Sequence, residues 1–300
     1  MSSTAEKARA LRLERLTSSL DTRLEHPDAA VETLMSELQL GELQEDLWEG
    51  LHAAAARDGK EAELAAVYGK ATLERRLKQL SEQERTSVLL HAADFSQGIL
   101  GDGAAAEGYL WRVLETVPNH ADAFARLERR VTAAKDNLRL AELYALVAAE
   151  PPISPGALAT AAIKAISQLP SEAPLSDNAC RKLLVLLPQM RSLLALLETH
   201  CRHTGRFALA CNLLEASLAD DSATPAETEE RRRRLIELYL GDAKTPEKAI
   251  SHVETLLNKD ASDAQARAAA ERLLRVPQVA SQAAAMLQAA RRHIRDLSGG

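Results

Sequence analysis

The sequence predicts an all-α protein built as an α-solenoid, a stack of antiparallel helix pairs. Three observations point there. Apolar residues make up 46% of the 300 residues but aromatics only 3%, so the apolar mass is Ala and Leu, which have high helix propensity, while β-branched residues and Gly are sparse. Helix ends recur at a fixed spacing: Val113-Leu114-Glu115-Thr116-Val117-Pro118 resembles Ala148-Ala149-Glu150-Pro151-Pro152, and 152 − 118 = 34. Short segments also echo each other. Leu64-Ala65-Ala66-Val67-Tyr68 returns as Leu140-Ala141-Glu142-Leu143-Tyr144 at 140 − 64 = 76, two units of 38, and Asp122-Ala123-Phe124-Ala125-Arg126 returns as Asp263-Ala264-Gln265-Ala266-Arg267 at 263 − 122 = 141, four units of about 35. A spacing of this size sustained along a chain is the mark of stacked helical units. Alanines inside those units let two helices approach closely.

The elements follow in order. Ala5 to Glu25 is amphipathic, with Leu11, Leu13, Leu16, Leu20 and Leu24 near one side, and His26-Pro27-Asp28 breaks it before a second helix, Ala29 to Leu38. These form an N-terminal helical cap over residues 1–40. Repeats then occupy residues 41–150. Asp46 to Arg57 carries Trp48, Leu51 and Ala55 at helical spacing, Asp58-Gly59 turns the chain, and Lys60 to Gln79 follows as a helix long enough to overhang or bend. Glu82 to Phe95 ends at Gly98, Gly101 and Gly103 before Ala104 to Val117; Ala121 to Lys135 and Asn137 to Glu150 complete the block. Residues 151–188 are degenerate: Pro-rich breaks flank a helix, Gly156 to Gln168, and Ser176 to Pro188 is apolar with little period. A worn repeat bridging two blocks and a soft joint between halves both fit; the first is favoured because repeats resume in phase. In residues 189–300 the helices are Met190 to His203, Gly205 to Leu218, Pro225 to Leu240, Pro246 to Lys259 and Val279 to Asp296. Gly299-Gly300 reads as a turn into another unit, so the chain is expected to be a piece of a longer protein, with self-association at its open end.

Charge narrows the partners. A net charge of −6 with 27% charged residues offers no basic excess for a phosphate backbone, and nucleic acid is excluded as a partner. The first residues interleave charges without an apolar run of signal-peptide length, and no stretch reaches the roughly 18 apolar residues of a membrane span. A cytoplasmic protein without membrane insertion is expected. Cys180, Cys201 and Cys211 are three, an odd count that argues against a disulfide framework and for small buried side chains.

In these residues the chain resembles the tetratricopeptide-repeat family and, more loosely, the divergent helical repeats of large bacterial scaffold proteins. The resemblance runs from Glu45 to Arg292. Trp48 and Phe124 match the aromatic at the fourth position of the first helix, and Tyr239 the tyrosine at the eleventh. Glu128 stands where glycine would fall at the eighth. The resemblance implies a right-handed superhelix whose concave face, lined by the first helix of each unit, holds a peptide or partner helix. By register, Arg129, Arg233 and Glu237 match groove-facing positions.

The remaining constellations have structural readings. His200, Cys201, His203 and Cys211 have ligand chemistry, but His200 and Cys201 point about 100° apart on a helix and no CxxC or HExxH accompanies them; two core cysteines, with Cys201 able to face Cys211, and two surface histidines are expected, and no metal or cofactor. Gly98-Ile99-Leu100-Gly101-Asp102-Gly103 follows no strand and reads as a helix-to-helix turn. Arg231-Arg232-Arg233-Arg234 follows Glu227, Glu229 and Glu230 at the spacing of favourable helical ion pairs, which predicts a solvated, internally paired face; a groove taking an acidic segment through Arg233 is the sharper alternative. No GxSxG turn or oriented histidine marks a catalytic centre. The expected function is a non-enzymatic scaffold presenting a helical groove to a protein partner. A helical regulatory module controlling an enzyme or transcription component is the alternative, and an enzyme whose residues converge from distant helices is the third.

Overall fold

A computed structural model describes residues 27–39 and 45–298. The expected helix Ala5 to Glu25 and the Gly299-Gly300 end lie outside them. Among the described residues there are sixteen α-helices, two short 3-10 segments and no strand. The chain divides into two units. The first takes the described residues up to Lys135 with Glu150–Ile153, and the second takes Asp136–Ala149 and the chain from Ser154 onward. The chain thus crosses between the units after Lys135 and again on either side of Glu150–Ile153, at the start of the Pro-rich stretch.

The first unit comprises α1 (Pro27–Gln39), α2 (Glu45–Asp58), α3 (Glu61–Ala71), α4 (Glu74–Leu77), α5 (Glu82–Gly98), α6 (Gly103–Thr116) and α7 (Ala121–Ala133). The expected long helix Lys60 to Gln79 is broken. Thr72 donates its hydroxyl to the Tyr68 carbonyl at 2.7 Å, and Leu73 is extended at φ −60°, ψ 139°. A threonine that bonds back into the preceding turn competes with the helix ladder, so neither Gly nor Pro is needed to stop it.

The second unit comprises α8 (Asn137–Val147), α9 (Pro155–Ser167), α10 (Asp177–Leu183), α11 (Ser192–His203), α12 (Phe207–Ser217), α13 (Pro225–Leu240), α14 (Ile250–Lys259), α15 (Ala264–Leu273) and α16 (Ala280–Ser298). The 3-10 segments are Leu184–Leu186 and Pro246–Ala249. Helix α10 lies inside the stretch that showed little period; the Ser176 hydroxyl starts it by accepting the Ala179 N–H at 3.1 Å. Thr224 and Glu227 form a reciprocal capping box at the start of α13, with Pro225 in its first turn.

One turn geometry recurs. Gly59, Gly101, Lys135, Gly205 and Lys244 have φ of +66°, +65°, +57°, +70° and +52°. Each stands two residues before the first residue of the next helical segment: Glu61, Gly103, Asn137, Phe207 and Pro246. At Gly59 and Gly205 the following N–H closes a Schellman turn, Lys60 to Ala55 O at 2.9 Å and Arg206 to Cys201 O at 2.7 Å. At Gly59, Gly101 and Gly205 the left-handed residue reverses the chain between two helices that pack together.

Packing is local along the chain. In the first unit the main contacts join α1 and α2 to α3, α3 to α5, α5 to α6 and α6 to α7. In the second, α8 meets α9 and α10, α9 meets α11, α10 meets α12, and α11 to α16 each meet the next helix, with α13–α15 and α14–α16 meeting two along. Charged side chains bridge at the same range: Lys70 to Asp28 at 2.8 Å and Arg76 to Glu32 at 2.8 Å in the first unit, Arg202 to Asp242 at 3.2 Å and Arg233 to Asp263 at 2.9 Å in the second. Their sequence separations are 42, 44, 40 and 30 residues, close to one helix pair.

The two sequence echoes have different fates. Leu64, Val67 and Tyr68 are buried on α3, and Leu140, Leu143 and Tyr144 are buried at the same positions of the equally long α8. Asp122 and Asp263, by contrast, do not correspond. Helix α7 is capped by His120 and Asp122 lies inside its first turn, whereas Asp263 itself caps α15, accepting the Gln265 and Ala266 N–H groups at 2.9 and 3.0 Å. The likeness of letters therefore falls on different helix registers.

The arginine run is a correction to the expected solvated face. Arg231 is 5% exposed and donates to the Ser217 carbonyl and Asp220; Arg232 meets His252 at 3.2 Å; Arg233 reaches Asp263; Arg234 pairs with the buried Glu198. Only Arg233 has an acid from its own helix, Glu229 at 3.7 Å. Four successive residues turn through about 300° of a helix circumference. In α13 those directions meet neighbours from α11 to the start of α15.

Candidate functional site

The site with the most developed geometry is a cleft in the first unit between α5 and α7, of about 470 Å³. The Ser81–Glu84 capping box fixes the start of α5. From there Glu82, Thr86, Leu90, His91 and Asp94 fall at helical spacing along one stripe that lines the cleft. Asp122 and Arg126 line it from α7. Arg126 crosses between them, 2.7 Å from Asp94 and 3.4 Å from Asp122. Three carboxylates thus share the cleft with one guanidinium.

Behind the cleft lies an aromatic cluster. The His91 ring stacks on Trp48, with centroids 4.4 Å apart and planes at 18°. Trp48 in turn lies parallel to Tyr68 at 6.0 Å, and His52 packs against Phe95 at 5.1 Å. His52 Nε2 and the Tyr68 hydroxyl are hydrogen-bonded at 2.6 Å. His91 is 7% exposed and Trp48 1%. Burial pulls the His91 imidazole down to about 4, with the neighbouring His52 adding to the effect. Burial lowers His52 as well, opposed by the charge of Asp94, and it drives the Tyr68 phenol well up. In all three groups the largest cause is lost hydration, which favours the neutral form.

Chemically the cleft is a wall of hydroxyls and carboxylates over a neutral imidazole. Its open shape along two helices suits an extended or helical segment better than an enclosed small molecule.

The sequence-designated residues stand elsewhere. Arg129 is exposed on α7, in the first unit, one turn past Arg126 and outside the cleft lining. Arg233 is half-buried on α13 in the second unit and already satisfied by Asp263, whose hydrogen bond also raises the guanidinium's proton affinity. Glu237 is exposed one turn further along α13. The cysteine–histidine group is dispersed too. Cys180, Cys201 and Cys211 are free and buried, and the Cys180 thiol beside Cys201 lowers the pKa of Cys201. His200, expected at the surface, is 7% exposed, its Nε2 accepting the Leu175 N–H at 3.1 Å, while His203 is exposed. Among the described residues no group of three metal-ligating side chains converges, and no helix is long and apolar enough to cross a membrane.

No model of a known protein family matches the chain, and no curated protein matches it.

His91 and Arg126 carry the candidate site, and sequence reasoning singled out neither for it. The available signal was the polar stripe on α5, at spacing three and four, where an apolar stripe would mark a wholly buried face.

Proposed function

We propose that the protein is a non-enzymatic α-solenoid of tetratricopeptide-like helix pairs, a scaffold that takes a partner helix or extended peptide in the α5–α7 cleft. The observation that carries this is the packing order. Among the described residues the main contacts join helices to their first and second neighbours, and the same left-handed turn, at Gly59, Gly101 and Gly205, reverses the chain within pairs. That order sets the first helices of successive pairs, α5 and α7, side by side with a lined space between them. Evenly spaced helical ridges over an open, polar-walled groove recognise secondary structure rather than a small molecule. A regulatory module would use the same contact to control what it binds.

Selection from a displayed library of random peptides against the purified chain tests the reading. Saturable one-to-one binding that Arg126→Ala and Glu82→Lys weaken supports it. Enriched peptides indifferent to both substitutions, or none enriched, would count against it.

A further inference from the structure

Helices α14 and α16 of the second unit line a groove of about 710 Å³. Its floor is apolar: Leu257 is buried, Met286 is half-buried, and the small side chains of Ala285 and Ala289 are exposed one turn apart on α16. Side chains this small let the backbone of another helix come close. The walls are charged and differ in sign, with Glu254 on the α14 side and Arg292 on the α16 side, both exposed. Elsewhere in this unit such charges are answered from a neighbouring helix pair, as in Arg202 with Asp242 at 3.2 Å and Arg233 with Asp263 at 2.9 Å. Among the described residues Glu254 and Arg292 form no ion pair.

An apolar floor between walls of opposite charge is complementary to itself. In a two-fold contact the same patch faces its own copy, so every pairing occurs twice. Laying α14 of one copy against α16 of the other sets Glu254 opposite Arg292 on both sides of the axis. Laying each helix against its own counterpart would set like charge against like, which is costly. We propose that this groove is where two copies of the chain associate, α14 of each against α16 of the other, with Glu254 and Arg292 paired across the contact. The apolar floor supplies the attraction and the charges fix the register, since exposed ion pairs contribute little by themselves. The contact belongs to the second unit and does not rest on what the α5–α7 cleft binds, so the failure of either reading leaves the other standing.

Analytical ultracentrifugation of the full chain, from about 1 μM to about 1 mM, reads the association directly. The expected result is a concentration-dependent equilibrium between monomer and dimer. Arg292→Glu and Glu254→Arg should each raise the dissociation constant by about tenfold or more, because each sets two like-charged pairs across the contact. A chain carrying both substitutions again has opposite charges on facing walls, and it should dimerise within about threefold of the unsubstituted chain. Both positions are exposed, and circular dichroism checks that each variant keeps its helicity. Should a charge reversal unfold the chain, Glu254→Gln and Arg292→Gln take its place, each expected to weaken the dimer by about threefold. A monomer throughout the range overturns the proposal and leaves the groove to a different occupant. A dimer indifferent to the single substitutions, or a double variant that dissociates as readily as the single ones, overturns it equally, since the copies then meet elsewhere.

Discussion

Two glycines of the first unit should respond in opposite senses to the same substitution. Gly59 has φ +66° between α2 and α3, while Gly108 sits inside α6. A Cβ added at either position meets nothing within 4 Å, so packing cancels and only the backbone decides. At Gly59 alanine must adopt the left-handed region, at about 1–2 kcal/mol. At Gly108 it replaces the residue with nearly the poorest helix propensity by the best, a gain of about 0.8–1.0 kcal/mol. The two chains should therefore differ by about 2–3 kcal/mol, with the wild type between them. For a unit of about 140 residues about 1 kcal/mol moves the midpoint by about 2–4 °C, so thermal melts followed by circular dichroism resolve the pair. Equal effects, or a Gly59→Ala chain as stable as wild type, would refute the claim that this turn requires its left-handed residue.

Further outcomes follow from the same geometry. Lys244→Gly should stabilise the second unit by about 0.5 kcal/mol in urea titrations, because relief of a strained φ of +52° exceeds the added freedom of the unfolded chain. Arg234→Ala should cost about 3 kcal/mol, since it leaves the Glu198 carboxylate, 4% exposed, buried with only Arg202 at 3.6 Å; Arg129→Ala, on an exposed side chain, should stay within about 0.5 kcal/mol. Acid should weaken the first unit through His91. Its folded-state value, near 4, is below the unfolded 6.5, so the stability it contributes is present above 6.5 and is lost as pH falls towards 4, by at most about 3 kcal/mol. Urea midpoints at pH 7 and pH 4.5, compared with those of His91→Gln, check the sign.

The fold was legible where local chemistry announces itself. Pro225 to Leu240 was read to the residue, a helix that opens on Pro225 and a capping box of Thr224 and Glu227, and the turn after the second helix was read from Asp58-Gly59. Left-handed turns at Lys135 and Lys244 were not, because lysine carries no such signal and the tertiary setting imposes the conformation. The echo of Asp122 to Arg126 in Asp263 to Arg267 misled for the converse reason. Equal letters do not fix helix phase, and a shift of two residues turns the buried face through about 200°. For the arginine run, the acids of the same helix were weighed and those of surrounding helices could not be, though Glu198, Asp220 and Asp263 take most of the charge. The cleft was hidden similarly: Trp48 and His91 come together only through the packing of successive pairs.

Hydrogen exchange with and without a selected peptide tests the scaffold reading most directly. Protection on binding should concentrate in Glu82–Gly98 and Ala121–Ala133, the helices that wall the cleft, and should disappear with Arg126→Ala. Protection confined to other helices, or unchanged by that substitution, would contradict the claim that the α5–α7 cleft is where this protein takes its partner.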